Sequence, residues 1–399
     1  MLRRLLFSRF LLTLGLCLGV MQVLVGHWIT VVLAGRPGPG LGLGLALAAG
    51  LVAANAYAIP VLRRARRRGG WGGWGSWVAR AYMAVGLGTL LLGFAIGLAW
   101  AGYLPLAGLL AAAGADGEGL FQAFRAASAL VVGALAFMIV WGFTAGQRRI
   151  EHTRLRVDLD GRHPGLRGLR IVQISDLHIG NGMEGERLRG LVSRVNALEA
   201  DLVALCGDLF DFDPGCVEEG ARALAALRAR HGVYAVLGNH DTYTGTEHVA
   251  EHLARLAPNI RLLRGELARV PVEPPLWVAG VDDPGRDWAA RGVELPVLDE
   301  LAARCPPDAL VVLLVHRPEL FPQASRLGFP LVLAGHTHGG QIALPTPGGR
   351  FNLARLVTRF HRGVYRENGS LLYVNRGAGV AGPAIRFNCP REIATIELA

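Results

Sequence analysis

The stretch of sequence that decides the fold of the C-terminal half is LRIVQISDLH, residues 169–178. Its first part, Leu169–Ser175, is a short apolar run of the kind that forms a buried β-strand. An aspartate and a histidine, Asp176 and His178, follow at once. Because α/β sheets bind ligands at the carboxyl ends of their strands, the stretch predicts a strand that delivers two polar side chains to a site.

Polar residues of similar types follow further apolar runs along the chain. The additional predicted strands in this region are Leu202–Cys206, Val233–Leu237, Leu276–Val281, Leu310–Val315 and Leu331–Ala334. The polar residues that come after them are Asp208, Asn239, His316, His336 and His338. Segments between strands, such as Thr246–Leu256, have helical spacing. Asn368-Gly369 joins two later strand-like runs as a hairpin turn, so an α/β domain is predicted over residues 150–399.

The chemistry of these side chains favours a binuclear metal site. Five short motifs, in order along the chain, contain two aspartates, one asparagine and four histidines. Two divalent ions about 3.5–4 Å apart can activate a water and shield the oxygens of a phosphate ester. Nitrogen and oxygen ligands without a thiolate suit Mn, Fe, Zn or Co, among which the ligand types do not choose. A single D-x-H arises by chance and G-N-H-D can also cap a helix, so the prediction depends on the five motifs together.

Residues 169–399 resemble the calcineurin-like metallophosphoesterases, especially the membrane-anchored bacterial type whose last motif reads G-H-T-H-G-G-Q, here residues 335–341. The resemblance implies a four-layer α/β/β/α sandwich, with two central sheets flanked by helices. It implies one metal ion bound by Asp176, His178 and His338. It implies a second ion bound by Asn239, His316 and His336, with Asp208 bridging the two.

The resemblance also implies roles for the residues after Asn239. His240 would contact the phosphate or protonate the leaving group, and Asp241 would orient the His240 imidazole. Asp211 has two interpretations, since it either braces the metal loop or closes a turn. The chain departs from the family pattern at Phe212, where many members carry arginine. That difference leaves open how a substrate phosphate is held.

The first 149 residues have the composition of a membrane region. Each of four apolar stretches exceeds the roughly 20 residues that a helix needs to cross a bilayer. They are Phe10–Gly35, Pro37–Leu62, a stretch from Ala81 towards Tyr103 and Pro105, and Ala126–Gln147. An all-α region of four transmembrane helices is therefore expected before the catalytic domain. An export signal over residues 1–35 is the alternative, but the long apolar run and the lack of a small-residue cleavage site favour a retained helix.

Charge predicts orientation and argues against a nucleic-acid partner. Residues 1–149 contain 13 Arg and two acidic residues, whereas residues 150–399 contain 28 Arg and 29 acidic residues. The arginines of the first part cluster before the first span, between the second and third, and after the fourth. The positive-inside bias then places both termini and the catalytic domain on the cytoplasmic side of the cell membrane. A nucleic-acid enzyme would more often carry its basic patch on the catalytic half.

These observations predict a multi-pass, membrane-bound, metal-dependent phosphoesterase. A site tethered at the bilayer meets lipid-linked substrates at a raised effective concentration, so phosphodiester or pyrophosphate bonds of such substrates are the first hypothesis. A phosphodiesterase of soluble nucleotides or nucleic acid is the alternative enzyme. A membrane scaffold that binds metal without turnover is the alternative outside catalysis. The sequence leaves the oligomeric state open.

Overall fold

The computed structural model describes residues 17–32, 35, 49, 74–158, 163–285, 294–307, 309–344, 346 and 351–399. The chain divides into two compact units, Met1–Phe143 and Thr144–Ala399. The first unit is helical and the second contains all the described strands.

The first unit contains three described helices, α1 (Cys17–Val32), α2 (Trp74–Ala112) and α3 (Glu118–Phe143). Their common core contains Trp28, Val31, Ile96, Phe121 and Phe124. The Trp28 indole N–H donates a hydrogen bond of 3.0 Å to the Ser128 hydroxyl. Small residues allow such helices to approach closely in a bilayer.

Two helical stretches of the described residues are long and apolar enough to cross a membrane, Gly88–Ala112 and Glu118–Arg148. The expected four transmembrane helices are therefore reduced to two in the described part of the chain. Within the predicted span Phe10–Gly35 the described residues form one shorter apolar helix, α1, and residues 10–16 lie outside the described residues. The predicted span Pro37–Leu62 lies outside the described residues except for Ala49.

The second unit contains two six-stranded mixed sheets. In spatial order the strands of the first sheet are β1 (Ile150–Val157), β12 (Arg391–Leu398), β2 (Arg170–Ile174), β3 (Leu202–Cys206), β4 (Val233–Val236) and β5 (Ile260–Leu262). Those of the second are β10 (Gly363–Glu367), β11 (Ser370–Val374), β9 (Leu331–Ala334), β8 (Leu310–Leu314), β7 (Leu276–Gly280) and β6 (Glu266–Val270). Neighbours are parallel except β12 with β2, β10 with β11, and β6 with β7.

Helices cover the outer face of each sheet. The first sheet packs against α4 (Gly185–Asn196), α5 (Val217–Leu224) and α6 (Asn239–Leu256) through one apolar core. A second core lies between the two sheets, and a third joins the second sheet to α7 (Pro296–Arg304) and α8 (Phe321–Arg326). The layers therefore run helix, sheet, sheet, helix, and the predicted α/β class is confirmed. This stack brings the carboxyl ends of the parallel strands of both sheets to a common edge.

Candidate metal centre

The predicted ligand residues lie on short loops directly after parallel strands. In the first sheet, β2 leads to Asp176 and His178, β3 to Asp208, and β4 to Asn239 at the start of α6. In the second sheet, β8 leads to His316 and β9 to the pair His336 and His338. Strand ends of both sheets thus contribute to one place, as expected for a ligand site at the carboxyl edge of a sheet.

The backbone at this place is held in an uncommon conformation. Five of the ligand-type residues have a positive φ: Asp176 (52°), His178 (48°), Asp208 (50°), His336 (72°) and His338 (51°). Such a conformation in a residue other than glycine costs of order 1–3 kcal/mol and persists only where the surrounding structure enforces it. The fold therefore directs these side chains inward at a cost in stability.

Asp176, His178 and His338 form one compact group. Their ligand atoms lie within 4.8 Å of one another, and all three side chains are buried. The His178 and His338 Nε2 atoms are 3.0 Å apart, and the His338 Nε2 atom is 3.3 Å from Asp176 Oδ1. Two imidazole nitrogens that face each other beside a carboxylate oxygen are a suitable ligand set for a divalent ion.

A second group lies beside the first and contains Asp208, His316 and His336. The His316 Nε2 atom is 3.3 Å from Asp208 Oδ2 and 3.1 Å from His336 Nδ1. Asn239 adds an oxygen ligand, because its Oδ1 atom is buried and makes no hydrogen bond within the described residues. A buried carbonyl oxygen without a donor is costly, and a metal ion at this position would satisfy it.

Asp208 joins the two groups. Its Oδ2 atom lies 3.5 Å from His178 Nε2 in the first group and 3.3 Å from His316 Nε2 in the second. Its other oxygen, Oδ1, accepts a 2.8 Å hydrogen bond from the backbone N–H of His240. One carboxylate oxygen therefore faces both groups while the backbone fixes the other.

The electrostatics of the buried carboxylates fit nearby cations. Burial raises the pKa of Asp208, but the imidazoles of His316 and His178 outweigh this effect and hold the pKa well below its usual range. Burial also raises the pKa of Asp176, and the charge of Asp208 adds to that rise. For His316, burial lowers the pKa, yet the Asp208 carboxylate dominates and raises it to about 10. The donor set, with two carboxylates and an orphaned amide oxygen, fits two divalent ions.

Hydrogen bonds behind the ligands fix the orientation of the imidazoles. The His316 Nδ1 atom contacts the Cys206 carbonyl at 2.9 Å, which leaves Nε2 for a metal. The His178 Nδ1 atom lies 3.1 Å from Asp211 Oδ1, and the His240 Nδ1 atom lies 2.5 Å from the same oxygen. Burial raises the Asp211 pKa, but these two imidazoles outweigh it and the pKa is lowered. Asp211 therefore contacts two imidazoles of the site, which favours a bracing role over the closing of a turn.

Asp241 contacts backbone groups and not the His240 imidazole, which is its predicted partner. Its carboxylate accepts hydrogen bonds from the backbone N–H groups of Gly238 at 2.8 Å, Leu209 at 3.1 Å and Phe210 at 2.8 Å. Successive helical residues point about 100° apart, so Asp241 and His240 leave α6 in different directions. Asp241 fixes the loop after β3 to the start of α6, and Asp211 contacts the His240 imidazole instead. Burial, with the nearby Asp208 charge, raises the pKa of Asp241 to about 7.

Two glycines of the motifs are required by close approach. A Cβ atom on Gly238 would overlap the Asp208 carboxylate and backbone nitrogen. A Cβ atom on Gly335 would overlap the Ser175 hydroxyl and the Asp176 carboxylate. Gly238 therefore lets the loop after β4 approach the loop after β3 within the first sheet, and Gly335 lets a loop of the second sheet approach the loop after β2.

Arg386 is a buried residue of the centre that sequence reasoning did not single out. Its guanidinium donates to the carbonyls of Gly379 at 2.7 Å and Arg376 at 2.8 Å, and it lies 3.3 Å from His338 Nδ1. Burial lowers the pKa of His338, and the charges of His178 and Arg386 lower it further. Arg386 lies in the C-terminal tail, outside the metal motifs, so the sequence did not indicate that it would contact the site.

A cleft of about 490 Å³ opens onto the centre. Asp208, Asn239, His240, His336 and His338 line its base. Its walls are largely apolar and include Phe212, Tyr243, Leu353, Ala354 and Val357. The Phe212 ring stacks on Tyr243 with centroids 5.5 Å apart and meets the His240 ring edge-on at 4.6 Å. Phe212 is thus an aromatic wall beside His240.

Known proteins share this half of the chain. A family model described as calcineurin-like phosphoesterase matches residues 169–340. A Danio rerio protein named "Transmembrane protein with metallophosphoesterase domain" is 31% identical over 275 residues, which cover 66% of this chain and 60% of that protein. A metallophosphoesterase of Campylobacter jejuni is 32% identical over 232 residues, which cover 58% of this chain and 59% of that protein. The chain therefore spans about three fifths of the length of these relatives.

A shorter relative is covered more fully. A metallophosphoesterase of Aquifex aeolicus is 32% identical over 235 residues, which cover 58% of this chain and 85% of that protein. Among solved structures, a dimetal phosphatase from Danio rerio matches with a TM-score of 0.37 at 14% identity, over 58% of this chain and 93% of that one. The identity to the Aquifex aeolicus protein and the family model establish the conclusion that the sequence motifs suggested. The chain belongs to the calcineurin-like metallophosphoesterase family.

Proposed function

We propose that the protein is a membrane-bound phosphoesterase that hydrolyses phosphodiester or pyrophosphate bonds of lipid-linked substrates with the help of two divalent metal ions. The proposal rests most directly on one observation. A single oxygen of Asp208 faces His178 at 3.5 Å and His316 at 3.3 Å, between two groups of buried ligand-type side chains. Membership of the family supports hydrolysis of a phosphoester.

In the proposed centre each group of side chains holds one ion. Asp176, His178 and His338 would hold the first ion, and Asn239, His316 and His336 would hold the second, with Asp208 shared. When bound, two such ions, from the set Mn, Fe, Zn and Co that the ligand types suit, activate water and neutralise charge on the phosphoryl oxygens. Burial of the ligands keeps competing water away from the centre and strengthens these interactions.

His240 is proposed to act on the substrate directly. It lines the cleft, and its Nδ1 atom is held by Asp211 at 2.5 Å, which leaves Nε2 as the nitrogen available to the substrate. From this position it would donate a hydrogen bond to a phosphoryl oxygen or a proton to the leaving oxygen. The Asp211 contact fixes the ring in this orientation, as positioned proton transfer requires. Asp211 is a positioning residue in this scheme.

Two observations support a lipid-linked substrate and a membrane location. The walls of the cleft are apolar at Phe212, Tyr243, Leu353 and Val357, which suits a substrate whose organic part is apolar. Two helices of residues 74–148 have the length and composition of membrane spans, and one relative is named a transmembrane protein. We accordingly propose residues 1–149 as a multi-pass anchor and residues 150–399 as the catalytic domain. The arginine bias favours the cytoplasmic side.

Phosphodiester hydrolysis of soluble nucleotides is the second candidate. It is favoured by the stacked pair of Phe212 and Tyr243, since exposed aromatic rings of this kind also stack on nucleobases. In that case the membrane anchor would set only the location of the enzyme.

The two candidates differ in the substrates that the purified full-length protein turns over. Detergent-solubilised protein loaded with Mn would be assayed on micellar lipid phosphodiesters and pyrophosphates, on bis-p-nitrophenyl phosphate and on cyclic nucleotides. The proposal expects the highest kcat/KM for a lipid ester, and Asp208→Asn should abolish turnover of every substrate. Efficient turnover of soluble diesters without lipid turnover would establish the second candidate. Equal rates for the wild type and Asp208→Asn would refute both.

A further inference from the structure

The exposed apolar side chains of the second unit are concentrated in one region. In the described residues of Thr144–Ala399, seven large apolar side chains are exposed: Phe212, Tyr243, Leu344, Phe351, Leu353, Leu356 and Val364. Two of them border the cleft beside His240, and four belong to a single excursion of the chain after β9. We call this excursion the arm and define it as residues 341–344 and 351–360. Contiguous exposed apolar surface of this kind marks a site of interaction.

The arm is an ordered element whose apolar side chains point to solvent. Ala343 pairs with Asn352 in an antiparallel bridge, and the Leu344 N–H donates to the Phe351 carbonyl at 2.8 Å. The Asn352 side chain caps a short 3-10 helix, Leu353–Leu356. The exposed fractions are 58% for Leu344, 55% for Phe351, 56% for Leu353 and 77% for Leu356. Transfer of such exposed apolar side chains out of water lowers the free energy.

The described residues of the arm contain two arginines, Arg355 and Arg359, and no acidic residue, and Arg359 pairs with Glu367 at 2.9 Å. The sequence contains no acidic residue between Glu319 and Glu367, an interval with six arginines. The Arg355 guanidinium lies over the Phe351 ring at 5.4 Å, and the Arg359 guanidinium lies over Phe360 at 4.4 Å. Phe360 is buried, but Phe351 is exposed, so at an interface the Phe351 ring can meet apolar matter while the Arg355 charge meets anions.

From these features we infer that the arm is a membrane-contact surface that docks on the headgroup region of an anionic bilayer. Anionic lipids attract basic segments, and exposed leucine and phenylalanine side chains enter the boundary between headgroups and acyl chains. A second copy of this chain would bring the same cationic patch to a symmetric contact, so charge disfavours it as the occupant. The bilayer is within reach of any chain that is anchored in it.

The arm borders the cleft, so its contact with the bilayer would bring the cleft close to lipid. Leu353 and Val357 line the cleft, whereas the exposed Leu356 and Phe351, on the same arm, are not among its lining residues. A lipid-linked substrate could therefore pass from the bilayer along the arm to the metal centre. In this respect the inference rests on the proposed function, but docking of the arm can be measured without turnover.

The test uses the full-length protein in nanodiscs. Cys17, Cys216 and Cys305 are replaced by Ala, and the buried Cys206 and Cys389 are kept. A bimane fluorophore is then attached through Leu356→Cys or, as a matched control, through Ser193→Cys on the exposed face of α4. Quenching by doxyl groups on lipid acyl chains is compared with quenching by aqueous iodide, in phosphatidylglycerol discs and in phosphatidylcholine discs.

The inference expects the label at position 356 to be quenched more by the lipid than by iodide, with a larger effect in phosphatidylglycerol. The label at position 193 should show the reverse order. Preferential iodide quenching at position 356 would overturn the inference, and so would quenching that depends on a second labelled copy in the same disc. The double variant Phe351→Ser/Leu356→Ser separates the two proposals, because it should lose turnover of bilayer-embedded lipid esters and retain hydrolysis of bis-p-nitrophenyl phosphate. If the unsubstituted protein hydrolysed neither the lipid esters nor bis-p-nitrophenyl phosphate, the proposed function itself would be refuted.

Discussion

Removal of the Asp211 carboxylate is a sharp test of how the centre is organised. One oxygen of Asp211 contacts two imidazoles, His178 at 3.1 Å and His240 at 2.5 Å. The first imidazole is a proposed metal ligand and the second is proposed to act on the substrate. Asp211→Ala should therefore weaken metal binding and also lower the rate at saturating metal.

The size of each effect follows from the contacts. A hydrogen bond to a charged group contributes about 1.5–3 kcal/mol, and about 1.4 kcal/mol corresponds to a factor of ten. Loss of the His178 contact should raise the metal concentration for half-maximal activity roughly 10- to 100-fold, the range found for partners behind metal ligands. Loss of the His240 contact should lower kcat by roughly 10- to 150-fold once metal saturates. Asp211→Asn, which keeps an oxygen acceptor without its charge, should recover part of both losses.

The assay is a titration of Mn into the metal-depleted full-length protein, with hydrolysis of bis-p-nitrophenyl phosphate as the readout. Asp213→Ala is the matched control, because Asp213 lies on the same loop but hydrogen-bonds the Gly215 N–H and contacts neither imidazole. The control should titrate like the wild type. A wild-type curve for Asp211→Ala, or an equal defect in both variants, would refute the reasoning.

Three further predictions follow from single contacts. Burial raises the pKa of Glu392, but the Arg376 guanidinium outweighs burial and lowers the pKa. The Glu392 carboxylate therefore stabilises the fold at pH values above 4.5, which is its usual pKa. This stabilisation is lost as the pH falls through the lower pKa of the folded state. Glu392→Gln should cost about 3–5 kcal/mol at pH 7, and thermal unfolding in detergent should show the gap to the wild type narrowing below pH 4.5. Gly238→Ala should abolish metal retention measured by elemental analysis, whereas Gly190→Ala, which meets no atom within 4 Å, should retain wild-type metal. Phe212→Arg should raise kcat/KM for a phosphate monoester by about 10- to 100-fold through a charged hydrogen bond, and an unchanged value would show that this wall does not contact the phosphate.

Sequence patterns predicted the inner strands of both sheets and missed most of the edges. β3 and β9 have the predicted bounds, because an inner strand is buried on both faces and reads as an unbroken apolar run. β1, β5 and β6 were not predicted, and each lies at the edge of its sheet. Edge strands carry exposed polar residues, as in the alternating burial of β1, so the apolar signal is weak. The edge strand β10 was predicted because its hairpin turn, Asn368-Gly369, has a strong local signal.

The candidate site shows the same division. The ligand-type residues could be grouped from sequence because each follows a strand, and strand ends converge; their roles as metal ligands stay a prediction. The partner of His240 could not be identified, since Asp241 is adjacent in sequence while Asp211 approaches from another loop. The arm could not be predicted from the sequence because its residues form no motif, and only their exposure beside the cleft distinguishes them.

The number and position of bound metal ions test the central claim most directly. Anomalous diffraction from crystals of the Mn-loaded full-length protein should show two peaks about 3.5–4 Å apart on either side of the Asp208 carboxylate. Elemental analysis should find two ions per chain, and loss of at least one in Asp208→Asn. A single peak, or peaks away from Asp208 and Asn239, would contradict the account.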